Sequence, residues 1–166
     1  CRRRGGNVVV INPAKEKGLV KFAVPSDIRS MIAGGSPVAS EYIQIQIGGD
    51  IALLKGIAKA VIEAGNHNLQ FMDDHTNGSE DYLADIQDTP WETIVLNSGI
   101  SKDRIHQIAD IYGNSKNVIF SWALGITHHK HGVENVESIV NLALLRGMIG
   151  RRFAGLLPLR GHSNVQ

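Results

Sequence analysis

Three short segments of this chain combine residue types that can meet a ligand. In Gly48-Gly49-Asp50, two glycines let a ligand approach the backbone, a following helix amino end favours an anion, and Asp50 adds two acceptor oxygens. A carboxylate facing a guanine edge accepts from both the ring N–H and the exocyclic amine. The same residue also fits a plain helix N-cap, and both readings of Asp50 stand at this level. The turn is not a phosphate-binding P-loop, because the lysine and hydroxyl that must follow are absent, and it is not GxGxxG. The other two segments are Asn12-Pro13-Ala14 and Gly125-Ile126-Thr127-His128-His129. His128, His129 and His131 invite a metal reading. Their spacing falls in an expected loop with no cysteine and no obvious carboxylate partner, so no native metal site is assigned. A histidine facing a ligand suits the pattern better, and plain surface exposure better still. No Ser/His/Asp or Cys/His set is recognisable. Glu80, Asp81 and Asp85 read as a solvated helix face, and Met72, Trp91 and Trp122 as core.

The elements that must position these segments follow from periodicity. Residues 8–11 are a wholly apolar, β-branched run between Gly5-Gly6-Asn7 and Asn12-Pro13, the pattern of a strand buried on both faces of a parallel sheet. Residues 117–122 read the same way. Residues 42–47 alternate, with Ile43, Ile45 and Ile47 to one side and Gln44 and Gln46 to the other, as in a half-exposed strand. A helix from Asp50 to near Gly65 presents Ile51, Leu54, Ala58, Val61 and Ile62. Thr89-Pro90-Trp91-Glu92 has the form of a capping box with proline at the first helical position, and Gly99 closes that helix. Ser101 caps another, with Ile105, Ile108, Ala109 and Tyr112 on one face. A further helix begins around Asn135, buries Val136, Ile139, Val140, Ala143 and Leu144, and stops at Gly147. Residues 69–87 read as shorter helical pieces broken at Asn77-Gly78. The sum is an α/β domain with a mainly parallel sheet flanked by helices, a single domain over 1–166 with a long loop at 12–40. All three ligand segments then lie at the carboxyl ends of strands, where open parallel sheets bind ligands.

Composition narrows the class. Hydrophobic residues make up 43% and charged residues 20% of 166, an ordinary globular balance long enough to bury a core. No apolar stretch approaches the roughly 18 residues of a membrane span. A formal charge of +1 argues against a nucleic-acid binder, and Arg2-Arg3-Arg4 reads as a solvated helix end. Cys1 is the only cysteine, which excludes an internal disulfide and an iron–sulfur cluster ligated by this chain alone. With no initiator methionine, no signal peptide and an abrupt close at Asn164-Val165-Gln166, the sequence reads as an internal piece of a longer protein.

Four segments carry a family resemblance: VVVINP (8–13), IGGDIALLKGIAKAVIEAG (47–65), SWALGITHHKHGVENV (121–136) and, most specifically, NLALLRGMIGRRFAGLLPLRGHSNVQ (141–166). In order and spacing they resemble successive segments of molybdopterin oxidoreductases, and within these the formate dehydrogenase alpha-subunit-like branch of the acid-resistance type. The resemblance implies the Rossmann-like central domain of such enzymes and a bis-molybdopterin guanine dinucleotide (molybdenum) cofactor in the full-length parent. It also implies two-electron chemistry on a small anionic substrate. The loop after the first strand and the Gly-Gly-Asp turn would hold the guanosine end of one dinucleotide. That makes Asn12, Pro13, Gly48, Gly49 and Asp50 cofactor contacts, with Asp50 reading the guanine. The loop after the last strand would lie along the pterin and diphosphate, bringing in Leu124, Gly125 and His128. Arg160 matches an arginine that faces the molybdenum in formate dehydrogenases and orients the anionic substrate through its planar fork. Gly161 and His162 flank it, the first as a cofactor contact and the second beside Arg160 in the catalytic set.

This sequence departs from the family pattern twice. Asn12 stands where the family more often has aspartate, keeping a ribose partner but losing the charge. His128 stands where glutamine is common, and substitutes a donor whose charge depends on pH. The resemblance further implies that a metal-ligating cysteine or selenocysteine, room for an iron–sulfur cluster, and the clamp for the second dinucleotide lie in other domains of the parent polypeptide. The chain alone is then expected to be inactive. A cytoplasmic location is favoured, with targeting signals lost along with the missing termini. Two alternatives remain: a cofactor-free nucleotide-binding-like or scaffolding domain that acts through protein interaction, and a generic dinucleotide-binding dehydrogenase domain, against which the missing GxGxxG counts.

Overall fold

The structure, a computed structural model, describes residues 4–23, 26, 28, 32 and 34–159. The chain divides into two compact units between Ile47 and Gly48.

In the first unit the β-branched run forms β1 (Val9–Ile11), which pairs in parallel with β4 (Glu41–Ile43) in the register Val10↔Tyr42. Ser40 locks their start, its hydroxyl accepting from Val8 N at 2.8 Å and donating to Val8 O at 3.0 Å. Parallel pairing is as expected for β1, but burial on both faces is not: Val9 and Val10 are half-buried and Ile11 is exposed. The alternation at 42–47 is real for Ile43 and Ile45, both buried, while Ile47 is 83% exposed because the pairing stops at Ile43. The expected long loop carries structure of its own: a single turn α1 (Lys17–Val20), then β2 (Lys21–Phe22) antiparallel to β3 (Ser36–Pro37). Of the basic run, only Arg4 falls within the described residues, where it is exposed.

The second unit is built around α2 (Asp50–Glu63). It packs against α5 (Trp91–Ser98), α6 (Lys102–Asn114) and α8 (Gly132–Leu145), with α4 (Ser79–Asp88) alongside. Neighbours on several sides explain why its buried set, Leu53, Leu54, Gly56, Ile57, Ala58, Ala60 and Val61, departs from the expected stripe, of which Ile51 and Ile62 are only half-buried. Lys59 turns its ammonium onto the carbonyls of Ile86, Gln87 and Thr89 at 3.2, 2.6 and 3.0 Å, satisfying the carboxyl end of α4. The break at Asn77-Gly78 separates α3 (Leu69–His75) from α4, as expected.

Several local expectations need correction. The capping box at Thr89 does not form: Thr89 Oγ1 donates to Asp85 O at 2.7 Å, ending α4, and Pro90 in extended geometry precedes α5. Ser101 does stand before α6, but without a side-chain cap bond. The final helix starts three residues early, at Gly132, and buries Leu142 and Leu145 where Val136, Val140 and Leu144 were expected. Of the three proposed core residues only Met72 is buried; Trp91 and Trp122 are half-buried. Trp91 is a surface clasp, stacked on His106 at 5.0 Å, covered by Lys102 at 4.8 Å and donating to Glu63 at 3.0 Å.

A second parallel pair, β5 (Ile119–Trp122) with β6 (Gly155–Pro158), completes this unit. Between β5 and α8 lies α7 (Leu124–Thr127), one turn long. The mixed α/β fold with short parallel sheets is therefore as read from the sequence. Burial of β5 on both faces is not: it alternates, with Ile119 59% exposed.

Candidate functional site

The loop after β1 is held rigidly. Asn12 N donates to Ile43 O at 3.0 Å, extending the β1–β4 ladder by one bond. The Tyr42 hydroxyl donates to Ala14 O at 2.7 Å and accepts from Glu16 N at 3.1 Å. Asn12 Nδ2 is committed to Glu16 Oε1 at 2.7 Å, so what the side chain offers outward is its carbonyl oxygen, an acceptor. Pro13 is exposed.

At the second turn, Gly48 takes φ +84, and a Cβ built there would meet nothing within 4 Å. Glycine is required by the left-handed backbone, and the space beside it is open. Gly49 is the N-cap residue of α2, buried, and its carbonyl accepts from Leu53 N at 2.9 Å. Asp50 is thus the first helical residue and makes no side-chain cap bond, which corrects the N-cap reading. Its half-buried carboxylate has no hydrogen-bond or ion-pair partner among the described residues. A carboxylate in the first turn of a 14-residue helix is itself favoured by the helix dipole, and with no partner among the described residues it can offer both oxygens to a donor pair.

The third segment is not a loop throughout. Leu124 and Gly125 open the single turn α7, which closes as His128 N donates to Leu124 O at 2.9 Å. His128 is exposed just past this turn and His129 half-buried. His131 lies 3.4 Å from Glu134, whose carboxyl is held below its ordinary range by a backbone hydrogen bond and by His131. Among the described residues, no group of three or more His, Cys, Asp or Glu is placed to hold a metal ion. Two residues that the sequence reading missed shape this segment. Asn135, 2% exposed, donates from Nδ2 to Ile126 O at 3.0 Å, and Gly132 brings the start of α8 against Thr127 O. A polar residue in register with the apolar Ile139 and Leu142 was the available signal for Asn135.

Arg160, Gly161 and His162 lie outside the described residues. The second unit also has an open cleft of about 550 Å³, lined among others by His67, Lys116, Arg146 and Arg151, and it contains none of the expected site residues. Arg146 is structural there. Its guanidinium collects the carbonyls of Asn66, Tyr112, Gly113 and Ser115, most of them at the carboxyl end of α6. No helix among the described residues is long and apolar enough to cross a membrane.

Comparison with known proteins returns a consistent set. The family model for molybdopterin oxidoreductases matches residues 7–165. The chain is 39% identical to Protein YdeP of Escherichia coli K12, over 99% of this chain and 23% of that protein. It is 33% identical to the uncharacterized oxidoreductase Rv2900c of Mycobacterium tuberculosis H37Rv, over 100% of this chain and 22% of that one. Formate dehydrogenase H of Escherichia coli K12 is 29% identical over the whole chain and 21% of its own length. The chain thus spans about a fifth of the length of these curated relatives. Among solved structures, acetylene hydratase from Pelobacter acetylenicus superposes with a TM-score of 0.73 over 92% of this chain and 19% of that one, at 16% identity, a likeness of fold.

Proposed function

The chain belongs to the molybdopterin oxidoreductase family, and from that premise we propose that it is a dinucleotide-holding part of a formate dehydrogenase-like enzyme. In this reading the full-length parent carries a bis-molybdopterin guanine dinucleotide cofactor, and the turn Gly48-Gly49-Asp50 receives one guanine. The observation that carries it is the state of Asp50. A half-buried carboxylate with no hydrogen-bond or ion-pair partner among the described residues, beside a glycine turn with open space, suits the ring N–H and amine of guanine. Asn12 and Pro13 are assigned to the ribose, the side-chain carbonyl oxygen of Asn12 accepting from a hydroxyl while Nδ2 stays on Glu16. Leu124, Gly125 and His128 are assigned to the pterin and diphosphate. Arg160 is assigned to orienting a small anionic substrate through its fork, with Gly161 and His162 beside it. When bound, the molybdenum supplies two-electron redox chemistry, and the residues of this chain bind and orient. The remaining parts of the site belong to other regions of the parent, so the isolated chain is inactive. An iron–sulfur cluster, where the parent has one, is held elsewhere as well.

The test uses the purified full-length parent. Molybdenum and guanine nucleotide are expected in a ratio near one to two. A parent free of both sinks the enzyme reading and favours a scaffolding domain. Asp50→Ala in that protein is expected to weaken dinucleotide retention roughly 10- to 100-fold, the loss of charge-assisted hydrogen bonds. Unchanged guanine content would leave Asp50 as a first-turn helix charge and nothing more.

A further inference from the structure

We propose that Asn135 is a positioning residue which, together with Gly132, fixes the segment 124–128 in its cofactor-facing conformation. The inference rests on the assignment of that segment to the pterin and diphosphate. A one-turn helix such as α7 has too few internal hydrogen bonds to persist unaided. Its local bonds are few: His128 N and Thr127 Oγ1 to Leu124 O, at 2.9 and 3.0 Å, and Ile126 N to Ala123 O at 3.3 Å. Further support comes from α8.

Two independent features of α8 supply it. Asn135 is, with Ser98, one of two buried polar residues among the described residues, and it sits one turn before Ile139 on the core-facing side. A buried amide is costly unless it is bonded, and Nδ2 donates to Ile126 O at 3.0 Å. A leucine would serve the core at this position; the amide serves the carbonyl. The second feature is Gly132, where a Cβ would fall 2.5 Å from Thr127 O. Any side chain there pushes α7 away. Of two successive carbonyls of α7, that of Ile126 is therefore bonded by Asn135 and that of Thr127 is packed against Gly132. Through them Leu124, Gly125 and His128 are set in place.

The experiment compares variants of the full-length parent, after the guanine content of the wild-type protein has been established. Absence of guanine nucleotide in the wild type would overturn the site reading itself; its presence isolates the present question. Asn135→Asp keeps the size but turns an acceptor toward Ile126 O, except when the carboxyl is protonated and can donate. Dinucleotide content per folded molecule is expected to fall about fivefold at pH 8 and to recover near pH 5. Wild type at both pH values controls for titration of His128, His129, His131 and Glu134. Gly132→Ala should lose content equally at both pH values. A purely structural role predicts lower melting temperatures with content per folded molecule unchanged, and that result would overturn the proposal. Where Gly132→Ala does not fold, Asn135→Asp still decides, because one protein is compared with itself at two pH values.

Discussion

At the residue scale, some buried polar atoms in the second unit are aimed at helix ends. The Tyr112 hydroxyl is the clearest case after Asn135. It donates to Leu142 O at 2.6 Å, in the last turn of α8, where carbonyls have no further helix to accept from. Burial pushes its phenol above the ordinary value of 10, although Arg146, 4.9 Å from the ring, pulls the other way. Tyr82 is raised as well, by burial and by Asp85. The sign is that of an acid whose folded form stays neutral. The contribution to stability is complete below pH 10 and is lost as pH rises above it, where the unfolded chain ionises and the folded one does not. Tyr112→Phe should therefore cost about 1–2 kcal/mol at neutral pH, one buried hydrogen bond. Urea melts at pH 7 and pH 11 check this: the gap between variant and wild type should narrow at the higher pH. A constant gap would mean that the phenol is not protected by the fold. Such pairings were not legible in the sequence, since Tyr112 read as one more apolar position of α6, and no pattern announces which carbonyl a hydroxyl will meet. Asp50 was legible in kind, but its place, first helical residue rather than N-cap, needed the backbone of Gly49.

At the element scale, the governing fact is that α2 is surrounded. Gly56, at its middle, lets Ile94 of α5 and Ile105 of α6 close in: a Cβ would stand 2.7 Å from Ile94 Cγ2 and 3.1 Å from Ile105 Cδ1. Alanine gains about 1 kcal/mol of helix propensity over glycine, whereas overpacking a tight core costs about 1–3 kcal/mol. The contact atoms are the branched ends of two buried isoleucines, so the second effect should win. Gly56→Ala is expected to lower stability by about 1 kcal/mol net, measured by chemical denaturation; a stabilised variant would show that α5 and α6 yield easily. Helices were the most legible part of the sequence because glycine and proline punctuate them. Gly99 and the break at Asn77-Gly78 fall where expected. What failed was finer. Thr89 fits a capping box by type, yet its hydroxyl is taken by Asp85 O, because two helices abut and only one end can use it. The buried face of α8 is turned toward Leu142 and Leu145, since α8 contacts α2, α3, α7 and β6 and no single 3.6-residue stripe describes that surround.

At the scale of the whole molecule, the sequence promised strands buried on both faces, and the structure gives them one. In the register Ile119↔Gly155 and Ser121↔Leu157, the side chains of Ile119, Ser121 and Leu157 share a face of the β5–β6 pair. Ile119 is 59% and Leu157 49% exposed, while Phe120 on the opposite face meets Tyr112 edge-on at 5.5 Å. Parallel sheets are ordinarily covered on both sides, and the β-branched, apolar character that made 117–122 legible as a buried strand is the character of a strand whose second face is also meant to be shielded. The chain spans about a fifth of the length of its curated relatives. The chain by itself should then self-associate through this face, because contiguous exposed apolar side chains beside a strand edge drive association. Replacing Ile119 and Leu157 by serine removes roughly 2 kcal/mol of apolar burial from any such contact, which should weaken association about 30-fold. Sedimentation velocity over a concentration series tests this, with circular dichroism to show that the double variant is folded. A wild-type chain that stays monomeric throughout would mean that the open face is tolerated by water as it stands, and that the strand pattern records β-propensity rather than a second buried side.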